Sequence, residues 1–139
     1  MIRVTVPLGD RSYPVVIGAG ARHELAALLP ARTRRAAVIT QAHLAIDVDP
    51  GLPHQVFLIG DGERHKNLAT IERLCSELAA AGFSRADCIV GVGGGLVTDV
   101  AGFTASVYHR GLPVIHVPLI VAAVWLHARN LRVGQRRAT

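Results

Sequence analysis

Residues 88–99 read Cys88-Ile89-Val90-Gly91-Val92-Gly93-Gly94-Gly95-Leu96-Val97-Thr98-Asp99, an apolar run that ends in a cluster of glycines. The run has the composition of a buried strand. The three successive glycines take every Cβ out of the turn that follows, so its backbone is free to adopt φ > 0 and its N–H groups can approach an anion closely. What comes next reads as a helix N-terminus, whose unpaired N–H groups and positive dipole end favour a phosphate. The stretch therefore predicts a strand, a phosphate-binding turn and a helix, and points to a nucleotide cofactor. Its spacing departs from the usual dinucleotide fingerprint, because Gly91-x-Gly93 is present but the sixth position is Leu96 instead of glycine. Asp99, expected in the first helical turn, also has an ordinary role there as a carboxylate that stabilises the helix dipole.

Similar punctuation extends in both directions. Ile2, Val4 and Val6, then Tyr13, Val15 and Ile17, are two period-2 segments around Gly9-Asp10-Arg11-Ser12, which predicts an N-terminal β-hairpin. A short amphipathic helix is expected over Ala21 to Leu29, stopped by Pro30, and a strand over Ala36 to Thr40. Gln41 to Pro53 has a weak pattern broken by Pro50, Gly51 and Pro53, so an irregular connection is expected before a strand at Gln55 to Ile59. Leu68, Ile71, Leu74, Cys75 and Leu78 form one apolar helical face, with Asn67 as N-cap and Gly82 as C′ terminator. A helix over Thr98 to Tyr108 and a strand over Val114 to Val117 complete the alternation. Repeated strand–helix units favour an α/β fold with a Rossmann-like, mostly parallel sheet, flanking helices and a ligand at the carboxyl ends of the strands.

Composition narrows the function classes. The chain has 139 residues, half of them hydrophobic, which suits one domain with an ordinary core. Its formal charge of +5 is uneven, since Arg129, Arg132, Arg136 and Arg137 all lie after residue 128. With two tyrosines, three phenylalanines and one tryptophan to stack bases, a nucleic-acid partner is not supported. Cys75 and Cys88 fit reduced core positions. The N-terminus lacks the pattern of a signal peptide, and the longest apolar run, Leu119 to Leu126, is shorter than the about 20 residues that span a bilayer, so neither secretion nor a membrane is indicated and a cytoplasmic protein is expected.

Two further segments carry charges suited to a phosphorylated ligand. Asp61-Gly62-Glu63-Arg64-His65-Lys66 follows the strand that ends at Ile59, on the same sheet edge as the glycine turn. Glu63 and Lys66, three apart, would share one face of a helical start, giving an acceptor for hydroxyl or amide groups and a cation for phosphate; a solvated loop with a weak surface pair is the plainer alternative. Tyr108-His109-Arg110-Gly111 closes the second long helix, where a cation is favoured by the dipole and Arg110 could bind a phosphate bidentately. The seven histidines show no metal-ligand spacing.

Taken in order, Asp61-Gly62-Glu63-x-x-Lys66, Gly93-Gly94-Gly95-x-x-x-Asp99-x-x-Gly102-Phe103, Tyr108-x-Arg110-Gly111 and Val117-Pro118 resemble the N-terminal half of 3-dehydroquinate synthase, a sugar-phosphate cyclase. The resemblance implies conversion of 3-deoxy-D-arabino-heptulosonate 7-phosphate to 3-dehydroquinate and phosphate in the shikimate pathway, with NAD used catalytically, a divalent metal (zinc or cobalt) and a homodimer. It implies NAD contacts from Asp61, Gly62, Glu63, Arg64, His65 and Lys66 and from Gly94, Gly95, Leu96, Val97, Thr98 and Asp99, and a substrate-phosphate contact from Arg110. Relatives that make aminodehydroquinate or cyclitols share much of the pattern.

The pattern breaks after Pro118. Leu119 and Ile120 stand where the family has two NAD-contacting threonines, no Gly-Gly-Lys-Thr segment follows within the sequence, and the helical domain that carries the family's metal-binding Glu and two His is expected to be absent. Residues 1–118 are thus expected to form the NAD-binding domain and 119–139 a divergent apolar, then Arg-rich, tail of a truncated or frameshifted chain that is inactive alone. The alternatives are an iron-type alcohol or glycerol dehydrogenase-like domain, which usually has a lysine soon after the Asp where this chain has Val100-Ala101-Gly102-Phe103, and a non-catalytic nucleotide-binding module.

Overall fold

A computed structural model describes residues 1–119. Strands β1 (Ile2–Val6) and β2 (Tyr13–Ile17) pair antiparallel as the expected hairpin, with Ile2 opposite Ile17 and Val6 opposite Tyr13. Helix α1 (Leu25–Leu28) follows a 3-10 turn at Ala21–Glu24, so the short helix expected over Ala21 to Leu29 is split in two, with only Leu25 fully buried. A four-stranded parallel sheet then forms from β3 (Ala36–Gln41), β4 (His54–Ile59), β5 (Cys88–Gly93) and β6 (Val114–Pro118), in the spatial order β4-β3-β5-β6. Helix α2 (Leu68–Ala80) links β4 to β5, and α3 (Gly95–Val107) links β5 to β6.

Both faces of the central strands are covered, which is why β3 and β5 read as continuous apolar runs instead of alternating. Ile39 and Ile89 join Leu74 and Leu78 of α2 and Val97 and Ala101 of α3 on one face, while Val38, Val90 and Val92 meet Leu25 and Val48 on the other. Truncating a side chain as enclosed as Leu74 costs about 2–5 kcal/mol. The edge strand β4 is half covered, with Phe57 and Ile59 buried and Val56 and Leu58 exposed. Both cysteines are free, and burial, with the Asp87 carboxylate adding to it, pushes the Cys88 thiol up to about 12, so it acts as a small core residue.

The ends of α2 follow the expected chemistry. The Asn67 side chain accepts from the Thr70 N–H at 2.9 Å, and Gly82, at φ +74, lets its own N–H reach the Ala79 carbonyl and the Phe83 N–H reach the Leu78 carbonyl, both at 3.0 Å. The buried face is shifted from the expected one: Leu68 is exposed at the first helical position and Thr70 is buried in its stead. Helix α3 begins at Gly95, three residues before the expected Thr98, because extended Gly94 acts as N-cap and its carbonyl already accepts the Thr98 N–H at 3.1 Å. Asp99 therefore stands in the second turn, beyond the strongest influence of the helix dipole.

All four parallel strands point the same way, so Gln41, Ile59, Gly93 and Pro118 mark one edge of the sheet. The chain leaves β3 for β4 on one side and returns to place β5 on the other. That reversal opens a crevice above the carboxyl ends of β3 and β5, the position at which doubly wound sheets bind ligands. At its floor the Thr40 hydroxyl donates to the Val92 carbonyl at 2.8 Å, extending the β3–β5 pairing past its last backbone partners.

Candidate functional site

Two strand-to-helix junctions flank the crevice. In the β5–α3 junction only Gly93 uses the freedom that all three glycines offer: it sits at φ +155, and a Cβ there would lie 2.6 Å from Val97 Cγ2. Gly94 is extended at φ −77, and Cβ atoms added at Gly94 or Gly95 would meet nothing within 4 Å. The two glycines thus border open space directly over the N-terminus of α3, where no side chain caps the first-turn N–H groups. The Thr98 hydroxyl turns back onto the Gly94 and Gly95 carbonyls at 3.3 and 3.2 Å. Val97 is buried in the core, so its side chain supports the turn from below.

The β4–α2 junction is longer. Gly62 takes φ +87, a 3-10 turn spans Glu63–His65, and the Asn67 side chain closes the loop by donating to the Arg64 carbonyl at 2.7 Å. The His65 ring lies over Gly60 so closely that a Cβ on Gly60 would come within 2.6 Å of three ring atoms. Arg64 donates to His65 Nε2 at 3.2 Å. Lys66 caps the 3-10 turn that begins at Glu63, with its N–H on the Glu63 carbonyl at 3.0 Å, and its ammonium reaches Asp99 Oδ2 at 2.5 Å. The bond from Asp99, together with its charge, raises the Lys66 pKa above the usual lysine value. Both partners are largely exposed, so the pair contributes little to folding. Its significance is positional, because it joins two motifs 33 residues apart in the chain.

Asp61 is held from a third side. Its Oδ1 accepts from Gln41 Nε2 at 3.0 Å and lies 3.1 Å from His43 Nδ1, while its side chain stays open to solvent. Gln41, His43 and Thr40 were not singled out by sequence pattern. The available signal was positional: they follow the apolar run of β3 at the same sheet edge that gives Asp61 its interest. His116 on β6 packs its ring against Gly102, and burial lowers its pKa while the nearby Asp99 carboxylate opposes the shift.

Arg110 is not brought to this crevice. Helix α3 runs back from the carboxyl edge, and β6 starts beside the start of β5, with Val114 opposite Ile89, so Arg110 stands at the amino edge. His109 and Arg110 both take left-handed conformations, φ 47 and 65, which few non-glycine residues adopt. The bonds around them fix the turn: the Tyr108 hydroxyl donates to the Phe83 carbonyl at 2.8 Å and the Leu112 N–H to the Ala105 carbonyl at 2.8 Å. Among the described residues no group of three His, Cys, Asp or Glu side chains is arranged to hold a metal, and no helix is long and apolar enough to cross a membrane. The expected threonine replacement at Ile120 and the rest of the tail lie outside the described residues.

Residues 56–126 match the sequence profile of the family described as 3-dehydroquinate synthase N-terminal. A protein of Amycolatopsis mediterranei, provisionally named an aminodehydroquinate synthase, is 41% identical over 126 residues, covering 88% of this chain and 36% of the relative. A 3-dehydroquinate synthase of Koribacter versatilis is 41% identical over 131 residues, covering 85% of this chain and 36% of its own length. Among solved structures, 2-deoxy-scyllo-inosose synthase complexed with carbaglucose-6-phosphate, NAD+ and Co2+ superposes with a TM-score of 0.72 at 25% identity, over 84% of this chain and 35% of that one. The chain spans little more than a third of the length of the relatives it matches.

Proposed function

We propose, for a chain that belongs to the 3-dehydroquinate synthase family, that its carboxyl edge is the nucleotide-binding half of an NAD-dependent sugar-phosphate cyclase site. The observation that carries this reading is the Lys66–Asp99 bridge, which sets the Asp61–Lys66 loop beside the open N-terminus of α3. A pyrophosphate fits that opening, because Gly94 and Gly95 present no Cβ to it and the first-turn N–H groups are uncapped. Lys66 adds a cation beside it, and the carboxylates of Asp61 and Glu63 offer acceptors for ribose hydroxyls. Leu96 and Val97 contribute first-turn backbone N–H groups and packing, Thr98 braces the turn through its bonds to the Gly94 and Gly95 carbonyls, and Gly62, Arg64 and His65 shape the opposite wall.

NAD held there would supply reversible hydride transfer to and from a ring carbon of the substrate. The residues of this chain bind and orient the dinucleotide and neutralise its phosphates. The substrate is 3-deoxy-D-arabino-heptulosonate 7-phosphate or the phosphate of a related sugar, as in the aminodehydroquinate and cyclitol branches. Arg110 is proposed as the substrate-phosphate contact; standing at the amino edge, it would serve the cleft of a second copy, in keeping with a homodimer. A cytoplasmic setting belongs to the same reading. The described residues do not offer a donor set for zinc or cobalt, so no step is assigned to a metal here.

Calorimetric titration of the 139-residue chain with NAD tests the reading. Binding is expected, weakened at least tenfold by Asp99→Ala and by Gly95→Val; an isotherm identical in all three proteins would overturn it. Phosphate release from the heptulosonate phosphate with NAD and zinc is expected to be undetectable for this chain alone, and measurable turnover would contradict that part.

A further inference from the structure

We infer that Gln41 is a positioning residue for this site, presetting the Asp61–Lys66 loop in the form a ligand meets. The inference rests on the nucleotide reading for the identity of the ligand, and on geometry alone for the clamp. Gln41 is the last residue of β3 and is buried at the point where the sheet order reverses. Its side-chain Nε2 carries two N–H groups, and each has a partner: the Gly60 carbonyl at 3.0 Å and Asp61 Oδ1 at 3.0 Å. Both partners only accept, so the orientation of the amide follows from chemistry; turned over, Oε1 would face two oxygens.

The contact continues the β3–β4 ladder one step beyond its last pair, Gln41 with Ile59, but through a side chain. It fixes the first two loop residues, from which the chain runs through the 3-10 turn to Lys66 and its bond with Asp99. It also occupies Oδ1 of Asp61, together with His43, so that among the described residues Oδ2 is the oxygen of that carboxylate without a hydrogen-bond partner. A loop ordered before binding costs less to order during it, so the clamp contributes affinity without touching the ligand.

The test is a double-mutant cycle on the full chain, with NAD as the probe, and amide hydrogen exchange without ligand. Gln41→Met keeps the length and removes both donors. It should raise the Kd for NAD roughly tenfold, the size of one lost hydrogen bond to a charged group, and should add a clearly smaller loss in an Asp61→Ala background, where only the bond to the Gly60 carbonyl remains to be lost. Without NAD, it should speed exchange of the loop amides between residues 61 and 66 while leaving those of β5 unchanged. Additive effects in the cycle, or unchanged loop exchange, would overturn the inference. If the unmodified chain binds no NAD, the nucleotide reading fails while the exchange measurement still decides the clamp. Should Gln41→Met not fold, the side-chain NH2 protons of Gln41 in the unmodified chain answer the question: they are expected to exchange slowly, and exchange at the rate of an exposed amide would refute the clamp.

Discussion

The two junctions that border the crevice do the same topological job by different physical means. Between β5 and α3 the chain turns within two residues, and backbone sterics alone dictate the path: Gly93 must lack a Cβ because Val97 occupies its place. Between β4 and α2 the path runs from Gly60 to Asn67, and side chains hold it: the Gln41 amide at its start, the His65 ring on Gly60, and the Asn67 cap at its end. The first junction is thus vulnerable to added atoms, and the second mainly to removed contacts. The difference also separates their roles, since a turn set by backbone presents N–H groups rigidly whereas a loop set by side chains can carry the charges.

That contrast is open to direct attack. Gly93→Ala should be the most damaging change at either junction, destabilising by about 3 kcal/mol because overpacking against Val97 adds to a φ that L residues rarely adopt; urea unfolding at a near-native midpoint would show that the turn relaxes easily. Gly60→Ala should cost about 1–2 kcal/mol, less because a side-chain ring can move where a packed turn cannot. Combining it with His65→Ala should recover most of that loss, and simple additivity would show that the ring does not rest on Gly60. Asn67→Ala removes the α2 cap and should cost about 1 kcal/mol by thermal melting, without altering β5.

Gly95→Ala sharpens the comparison by separating stability from binding. The position is helical and open, so the change should leave stability the same or raise it by up to about 1 kcal/mol. NAD affinity should fall all the same, because the added methyl projects into the space assigned to the phosphates; equal affinity would move the ligand elsewhere. The smallest expected effect is a pH dependence. The folded-state pKa of His116 is lowered, so as pH drops below the unfolded value of 6.5 the unfolded chain takes up the proton first and stability falls. His116→Gln should flatten that slope slightly, and an unchanged acid limb would assign it to other groups.

Legibility followed the range of the interactions. The hairpin, the strands at residues 36, 54, 88 and 114, the Asn67 cap and the Gly82 terminator were all readable, because each depends on residues within a few positions of one another. The start of α3 was misjudged by a turn because three glycines look alike in sequence, and only the contact with Val97 shows that Gly93 turns while Gly95 is already helical. Leu68 looked like part of a buried face because periodicity does not reveal that a first helical residue overhangs solvent.

The sequence by itself determined the alternating α/β plan, the glycine turn and the charged segment on the same edge, since strand direction follows from connection type and turn chemistry is local. Only the tertiary structure decided which groups meet. It brought Lys66 to Asp99 and Gln41 to Asp61, and it sent Arg110 to the far edge of the sheet. Such pairings depend on strand order and on the lengths of the crossovers, quantities that emerge when the sheet closes around its core and that no spacing along the chain encodes.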